Sequence, residues 1–417
     1  MSRRARVIGA GMAGLSAAVE LTRAGFDVTV SDGAAQAGGR CRSYHDPQLD
    51  RVIDNGNHLV LSGNAAVSGY LGTIGASERL AGPDQAEFAF ADRRTGERWR
   101  FRPSKGRLPW WIFSKARRVP GTRATDYLRL AALTRAAPGQ TVADRTDTHG
   151  VLWDRLLEPV LLAALNTAPA EGDATLTAAI INQTLGRGGH AMRPRIAEPT
   201  LAAAFVDPAL DWLARNHTSV TLKQRLRTLR FENDRVVALD FGGGAEAVAS
   251  DETVILAVPP WIAEMLVPGL SVPDDYRAIV NAHFAYVPPA GATPMIGVIG
   301  GAAEWIFAFS DRLSVTVSAA DHMIDTDRAE LAAAFWADIA AIHHLPPELP
   351  RWQIVKEKRA TFAATPQQER RRPPAATRWR NLFLAGDWTQ TGLPSTIEGA
   401  LQSGVTAARL AQAARLI

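Results

Sequence analysis

The chain has 417 residues, of which 47% are apolar and 21% charged, with a formal net charge of +4. This balance suits a globular protein of two or three domains, excludes disordered and fibrous classes, and gives no reason to expect a nucleic-acid partner. A single cysteine, Cys41, excludes a disulfide framework and a thiolate metal site; no metal is expected, and a reducing compartment, the cytoplasm, is the expected location.

Residues 1–5 are too few and too charged to hold the apolar region of a secretory signal, so no export is expected. Arg4–Ile8 reads as a short buried strand, followed by a loop with Gly9, Gly11, Ala13 and Gly14 and a helical run from Leu15 to Ala24. Gly9 suits a tight turn, Gly11 lets the backbone approach a pyrophosphate, and Gly14 allows helix and strand to pack closely. The helix start presents unpaired amides and a positive dipole end to phosphate. Gly25 ends the helix, Asp27–Ser31 alternates into a second strand, and Asp32 follows, where a carboxylate accepts hydrogen bonds from a ribose. This order of strand, glycine loop, helix, strand and acid is a dinucleotide fingerprint, open at this point to NAD or FAD. Gly38-Gly39-Arg40 adds a second close crossing of a diphosphate, with Arg40 as a bidentate cation.

Further along, Lys105, Arg107, Lys115, Arg117 and Arg118 surround Trp110-Trp111-Ile112-Phe113, which fits an interfacial membrane anchor or a core helix with solvated ends. The most apolar stretch, Leu156–Ala170, is interrupted by Glu158, Pro159 and Asn166, so no membrane span is expected. Residues 125–215 repeat Leu and Ala at helical spacing. Val220–Leu222 and Leu226–Phe231 alternate as strands, Glu232-Asn233-Asp234 turns the chain, and Arg235–Phe241 returns; Asp251–Pro260 predicts a buried strand with a Pro-Pro stop. Residues 276–365 mix strands such as Leu313–Ser318 with a helix at Asp327–His343, and Asn381–Ala385 predicts a final buried strand before Gly386-Asp387-Trp388-Thr389 and an Ala-rich helix opened by Ser395-Thr396-Ile397-Glu398-Gly399.

The two terminal fingerprints resemble the FAD-binding amine oxidase and phytoene desaturase superfamily, which selects FAD over NAD; Asp32 stands where that superfamily usually has Glu. The resemblance implies an α/β protein, α+β overall, with a Rossmann-type FAD-binding domain assembled from residues 1–70, 205–268 and 370–417. A discontinuous substrate domain, mainly helical over 71–204 and mixed over 269–369, fills the intervals. It also implies that Gly39, Arg40, Gly386 and Asp387 hold the diphosphate and ribityl chain, that Leu226 contacts adenine through its backbone, and that the amide of Ile397 faces the flavin N1 and O2 edge. Asp54-Asn55-Gly56-Asn57-His58 matches a position beside the flavin: Gly56 lets the backbone approach the ring, Asn57 or His58 contacts it, and His58 is either a proton donor or acceptor or a structural residue. Asn281 falls where many amine oxidases carry a flavin-linked lysine, and Trp388 either faces the flavin or packs in the core.

Asp54–Leu61, Leu165-Asn166-Thr167, Pro194-Arg195 and Gly386–Gly404 are similar to the hydroxysqualene dehydroxylases of bacterial hopanoid biosynthesis. That resemblance implies reduction of hydroxysqualene to squalene by reduced FAD, a triterpenoid lipid substrate in an apolar tunnel, and His58 and Asn166 as candidate polar contacts at the reacting hydroxyl. It leaves the acid and the electron donor unidentified, and it brings in peripheral contact with the inner face of the cytoplasmic membrane. Polyene (phytoene-type) desaturation, amine oxidation and a non-catalytic FAD-bound scaffold in a lipid-synthesis complex are the alternatives.

Overall fold

The computed structural model describes residues 3–414. A five-stranded, all-parallel sheet runs in the order Ser219–Thr221, Asp27–Ser31, Arg4–Ile8, Glu252–Leu256, Leu382–Leu384, so its central strand is the first in the chain. Helix Met12–Arg23 follows that central strand and is buried along most of its length, because it lies between the sheet and the C-terminal helix Ile397–Ala413. Small residues let the two helices approach: a Cβ on Gly404 would stand 2.3 Å from the carbonyl oxygen of Ala13, and Ala407, Ala408 and Ala411 continue the contact stripe. Arg3 donates to the carbonyls of Ala411, Gln412 and Ala414, closing the far end of the C-terminal helix.

A second, seven-stranded sheet runs Trp352–Phe362, Tyr276–Phe284, Leu313–Val317, Trp305–Ala308, Met295–Ile299, Phe88–Asp92, Arg98–Phe101, antiparallel except where Met295–Ile299 meets Phe88–Asp92. One face carries Val280, Ala282, Val315 and Ile306 and packs on helix Arg328–His343. The other carries the row Asn281, Thr316, Trp305, Gly297, Phe90, Trp99, set by cross-strand register. Gly297 leaves the space that two rings occupy, since a Cβ there would lie 2.6 Å from the Phe90 ring and 3.1 Å from that of Trp305. This aromatic end is covered by leucines of short helices, among them Glu158–Leu165 and Ala174–Gln183.

Several local expectations change. The strand expected from Leu226 begins at Thr228, leaving Leu226 buried in an extended link beside the parallel sheet. Pro260 starts helix Pro260–Leu266 instead of stopping the chain, because proline at a first helical position needs no amide donor. Trp110–Phe113 forms one 3-10 turn, not a helix. Helix Ala65–Ile74 crosses residue 70, where the first cofactor segment was expected to end, and Leu59–Leu61 pairs with Pro194–Ala197.

Candidate functional site

The glycine loop connects the central strand to helix Met12–Arg23, and its three glycines stand in different surroundings. Gly9 has φ +111°, and a Cβ there would lie 2.3 Å from the carbonyl oxygen of Ala257; a Cβ on Gly14 would lie 1.8 Å from the carbonyl oxygen of Gly9. Both are glycine because protein backbone fills the space. A Cβ on Gly11 would meet nothing within 4 Å, so no protein neighbour requires glycine there and the space beside the loop is open. Ala13 sits in the first turn of the helix, buried. Asp32 ends the adjacent strand with its carboxylate 2.6 Å from the amide of Ala10 and 2.7 Å from that of Ala34, which holds it at the loop. Gln224 donates its amide to the carbonyl of Asp32 and accepts from Ser31, so the link carrying Leu226 runs along the same edge.

The two terminal fingerprints meet at one ion pair. Arg40 Nη2 donates to both carboxylate oxygens of Asp387 at 2.7 Å, while Nη1 donates to the carbonyl of Ala360 at 2.5 Å. The guanidinium expected as a free phosphate clamp is therefore shared with the carboxylate expected as a ribityl or pyrophosphate contact. Although protein surrounds Arg40, 44% of its side chain is accessible, as expected of a group facing an internal cleft. Burial works against ionised Asp387, but Arg40, the Ser395 hydroxyl and Arg372 outweigh it and hold the carboxyl below its usual range. Gly39 lies against Gly11, with a Cβ that would stand 3.3 Å from the Gly11 Cα.

Arg372, which no sequence signal singles out in the run Arg370-Arg371-Arg372, organises the C-terminal loop. It is buried and donates to the carbonyls of Asp387, Thr389 and Leu393, the Thr391 hydroxyl and the Glu369 carboxylate. All its donors are thereby used. Gly386 donates its amide to Ser403. Thr396 caps the C-terminal helix by accepting from Gly399, leaving the amides of Ile397 and Glu398 at the helix start for another acceptor. The Glu398 carboxylate instead caps the neighbouring helix, accepting from Ala66 and Val67 at 2.9 Å each. Trp388 is a core residue that donates to the carbonyl of Val258.

Residues 54–58 are held from beneath by the seven-stranded sheet. Asp54 is buried, accepting from Ser43 at 2.5 Å and from the Leu201 amide at 2.8 Å, and its carbonyl meets His283 Nε2 at 3.0 Å. Burial, with Arg312 adding to it, drives the His283 imidazole down to about 3, so it stays neutral. Asn281 Oδ1 accepts from the Asn57 amide at 3.3 Å and from the Thr316 hydroxyl at 2.8 Å. A Cβ on Gly56 would stand 2.9 Å from Asn281 Nδ2, so a larger residue there would displace the Asn281 side chain. Asn57 donates to Val315 and Thr316, but its Oδ1 is buried with no partner among the described residues. The His58 ring makes no hydrogen bond among those residues; burial first, then the charge of Arg40, lowers it to about 4.

Asn166 does not join this group. Its Nδ2 donates to Thr361 at 2.9 Å and to the carbonyl of Arg277 at 3.3 Å, and its Oδ1 accepts from the Ala319 amide at 2.6 Å. With φ +48° it ends helix Glu158–Leu165 and ties that helix to the sheet. Sequence reasoning also misses Glu304, whose carboxyl accepts from the Ser318 amide at 2.7 Å and is raised by burial to about 7.

The glycine loop, Asp32 and the C-terminal helix start have the arrangement of a dinucleotide fold, and Asn57 Oδ1 beside them is buried without a partner among the described residues. Fold and site thus define an FAD-dependent oxidoreductase. Residues 12–411 match the family described as flavin containing amine oxidoreductase. The fold is shared with a cyclohexylamine oxidase from Brevibacterium oxydans IH-35A (TM-score 0.71, 14% identity, 99% of each chain covered). It is likewise shared with a putative protoporphyrinogen oxidase from Exiguobacterium sp. 255-15 (TM-score 0.67, 16% identity, 98% of each). In sequence the chain is 51% identical to a hydroxysqualene dehydroxylase of Rhodopseudomonas palustris, covering 99% of both chains. It is 50% identical to one of Sinorhizobium fredii, again over 99% of both. A 15-cis-phytoene desaturase of an Oncidium hybrid is 22% identical, over 95% of this chain and 76% of that one. The chain belongs to the hydroxysqualene dehydroxylase family.

Proposed function

We propose that this chain removes the hydroxyl group of hydroxysqualene reductively, yielding squalene and water. The observation that carries the reading is identity of about half the residues over 99% of both chains with proteins of that name. When bound, reduced FAD supplies the hydride for such a reduction.

The residues divide the remaining work. Gly11, Asp32 and the amides of Ile397 and Glu398 bind the cofactor, the last two placing a positive dipole end where negative charge accumulates on reduction. Arg40 and Asp387 act as one unit: with both Nη2 hydrogens on Asp387 and Nη1 on Ala360 and Ser395, the guanidinium offers its charge and its Nε–H to the diphosphate. Asn281 and Thr316 hold the loop of Asn57 and His58. Neutral at ordinary pH, His58 orients the substrate hydroxyl through hydrogen bonding and is not its standing acid. Trp305, Phe90 and Trp99, on the same sheet face as Asn281, extend that face as a buried apolar layer that suits a hydrocarbon neighbour. The atoms balance: alcohol, proton and hydride give hydrocarbon and water.

The test is anaerobic turnover of hydroxysqualene by chemically reduced enzyme, with products separated by gas chromatography. Squalene is expected in stoichiometric yield with flavin reoxidation. Formation of new double bonds in squalene or phytoene by oxidised enzyme, with no squalene from the alcohol, would replace this reading with desaturation.

A further inference from the structure

We propose that the 3-10 turn Trp110–Phe113 is a membrane-docking tip that inserts into anionic bilayers. The turn separates its side chains by function. Trp111 points inward, 4% exposed, with its ring 4.9 Å from Phe101 and 4.9 Å from Tyr127, both at near-perpendicular angles. Trp110 and Phe113 point outward, 65% and 67% exposed, with rings 6.3 Å apart, and Leu108 beside them is 63% exposed. Of the nine large apolar side chains exposed among the described residues, five lie between residues 108 and 151. Scattered exposed apolar residues need no explanation, but adjacent aromatic ones on one turn do.

The turn is firmly held. The Trp111 amide donates to the Ser104 hydroxyl, Arg118 donates to the carbonyl of Ile112, and the amides of Gly189 and His190 donate to the carbonyls of Ser104 and Lys105. The apolar tip is therefore presented by a fixed frame.

Charge selects the occupant. Residues 98–125 contain nine Lys or Arg and no Asp or Glu. Lys105, Arg107, Lys115 and Arg117 are exposed and belong to no ion pair among the described residues, unlike Arg100 and Arg102, which pair with Glu87. A small apolar tip ringed by unpaired cations complements an interface in which acyl chains lie beneath anionic headgroups. No described helix is long and apolar enough to cross a membrane, so the contact is peripheral. Trp111 belongs to the same apolar layer as Phe90, Trp99 and Trp305, which places the tip over the region assigned to the hydrocarbon. That last link rests on the proposed function; the docking itself does not.

The test uses the full-length, FAD-loaded chain and co-sedimentation with phosphatidylcholine vesicles, with and without phosphatidylglycerol. Wild type should bind the anionic vesicles and be released by salt. Trp110→Ser with Phe113→Ser should weaken binding roughly tenfold or more, and Lys105→Gln, Lys115→Gln, Arg117→Gln together should remove the preference for anionic lipid. Both variants should keep the flavin spectrum and turn over detergent-dispersed substrate like wild type. Should the apolar double variant fail to fold, quenching of wild-type tryptophan emission by acyl-brominated lipid, reduced in Trp110→Phe, reports the same insertion. Equal binding by wild type and a folded double variant, or no quenching, overturns the proposal. So does lipid-free self-association that the double variant abolishes, which would assign the tip to a second copy of the chain. Absence of hydroxysqualene turnover in wild type would overturn the proposed function and leave the vesicle result standing.

Discussion

The two sheets place their polar groups by different means. At the parallel sheet the groups we assign to the cofactor are largely backbone: a glycine loop, the amides at a helix start, and one carboxylate at a strand end. At the seven-stranded sheet they are side chains brought together by register, with Asn281, Thr316 and Trp305 adjacent although they come from three strands. Recognition by backbone constrains local sequence, because only glycine permits certain turns and approaches. Recognition by side chains across strands leaves no local pattern.

The largest expected effect probes the exception on the cofactor side, where a side chain supports the backbone. Arg372→Met removes a buried five-donor hub and leaves several carbonyls and Glu369 unmatched, so a loss of about 3 to 5 kcal/mol in stability is expected, with loss of bound flavin. Denaturant unfolding and flavin absorbance check it. Arg40→Ala should weaken FAD binding by about 1.5 to 3 kcal/mol in fluorescence titration, and unchanged affinity would show that the pair with Asp387 serves only the fold.

On the side-chain side, Asn166→Ala should cost about 1 to 3 kcal/mol of stability while the folded fraction keeps its flavin and its kcat; a fall in kcat at full flavin occupancy would return Asn166 to the chemistry. Glu304 gives the smallest effect and a clear sign. Its folded pKa, about 7, lies above the ordinary 4.5, so the unfolded chain ionises first and stability falls as pH rises through that window. Glu304→Gln keeps an acceptor for the Ser318 amide and should therefore be more stable than wild type at pH 8 by about 1 to 2 kcal/mol, with the gain disappearing near pH 4. Thermal melts at the two pH values decide it.

What can be read from sequence follows the same division. The strands Arg4–Ile8 and Asp27–Ser31 and the start of the C-terminal helix emerge within a few residues of their expected bounds, because glycine, apolar periodicity and capping residues act locally. Arg372 is hidden because a buried arginine within an arginine run looks like a solvated surface. Asn166 is ambiguous because an Asn after an apolar helix fits either a left-handed helix end or a polar contact, and only Thr361 and Ala319, distant in sequence, decide between them. Gly56 is read as a point of approach for the flavin, and its contact with the Asn281 side chain, 225 positions away, has no local signature. The Trp110–Phe113 turn shows its composition but not its orientation, which depends on Phe101 and Tyr127 drawing Trp111 inward.

The central claim is that the flavin bound by this chain gives hydride to carbon. Reduced enzyme equilibrated anaerobically in deuterium oxide exchanges the hydrogen at flavin N5, so any hydride later delivered from that position is labelled. Mixing it with hydroxysqualene and analysing the product by mass spectrometry and NMR should show squalene with one deuterium at the former carbinol carbon. Unlabelled squalene, or unchanged alcohol beside desaturation by the oxidised enzyme, would contradict the account.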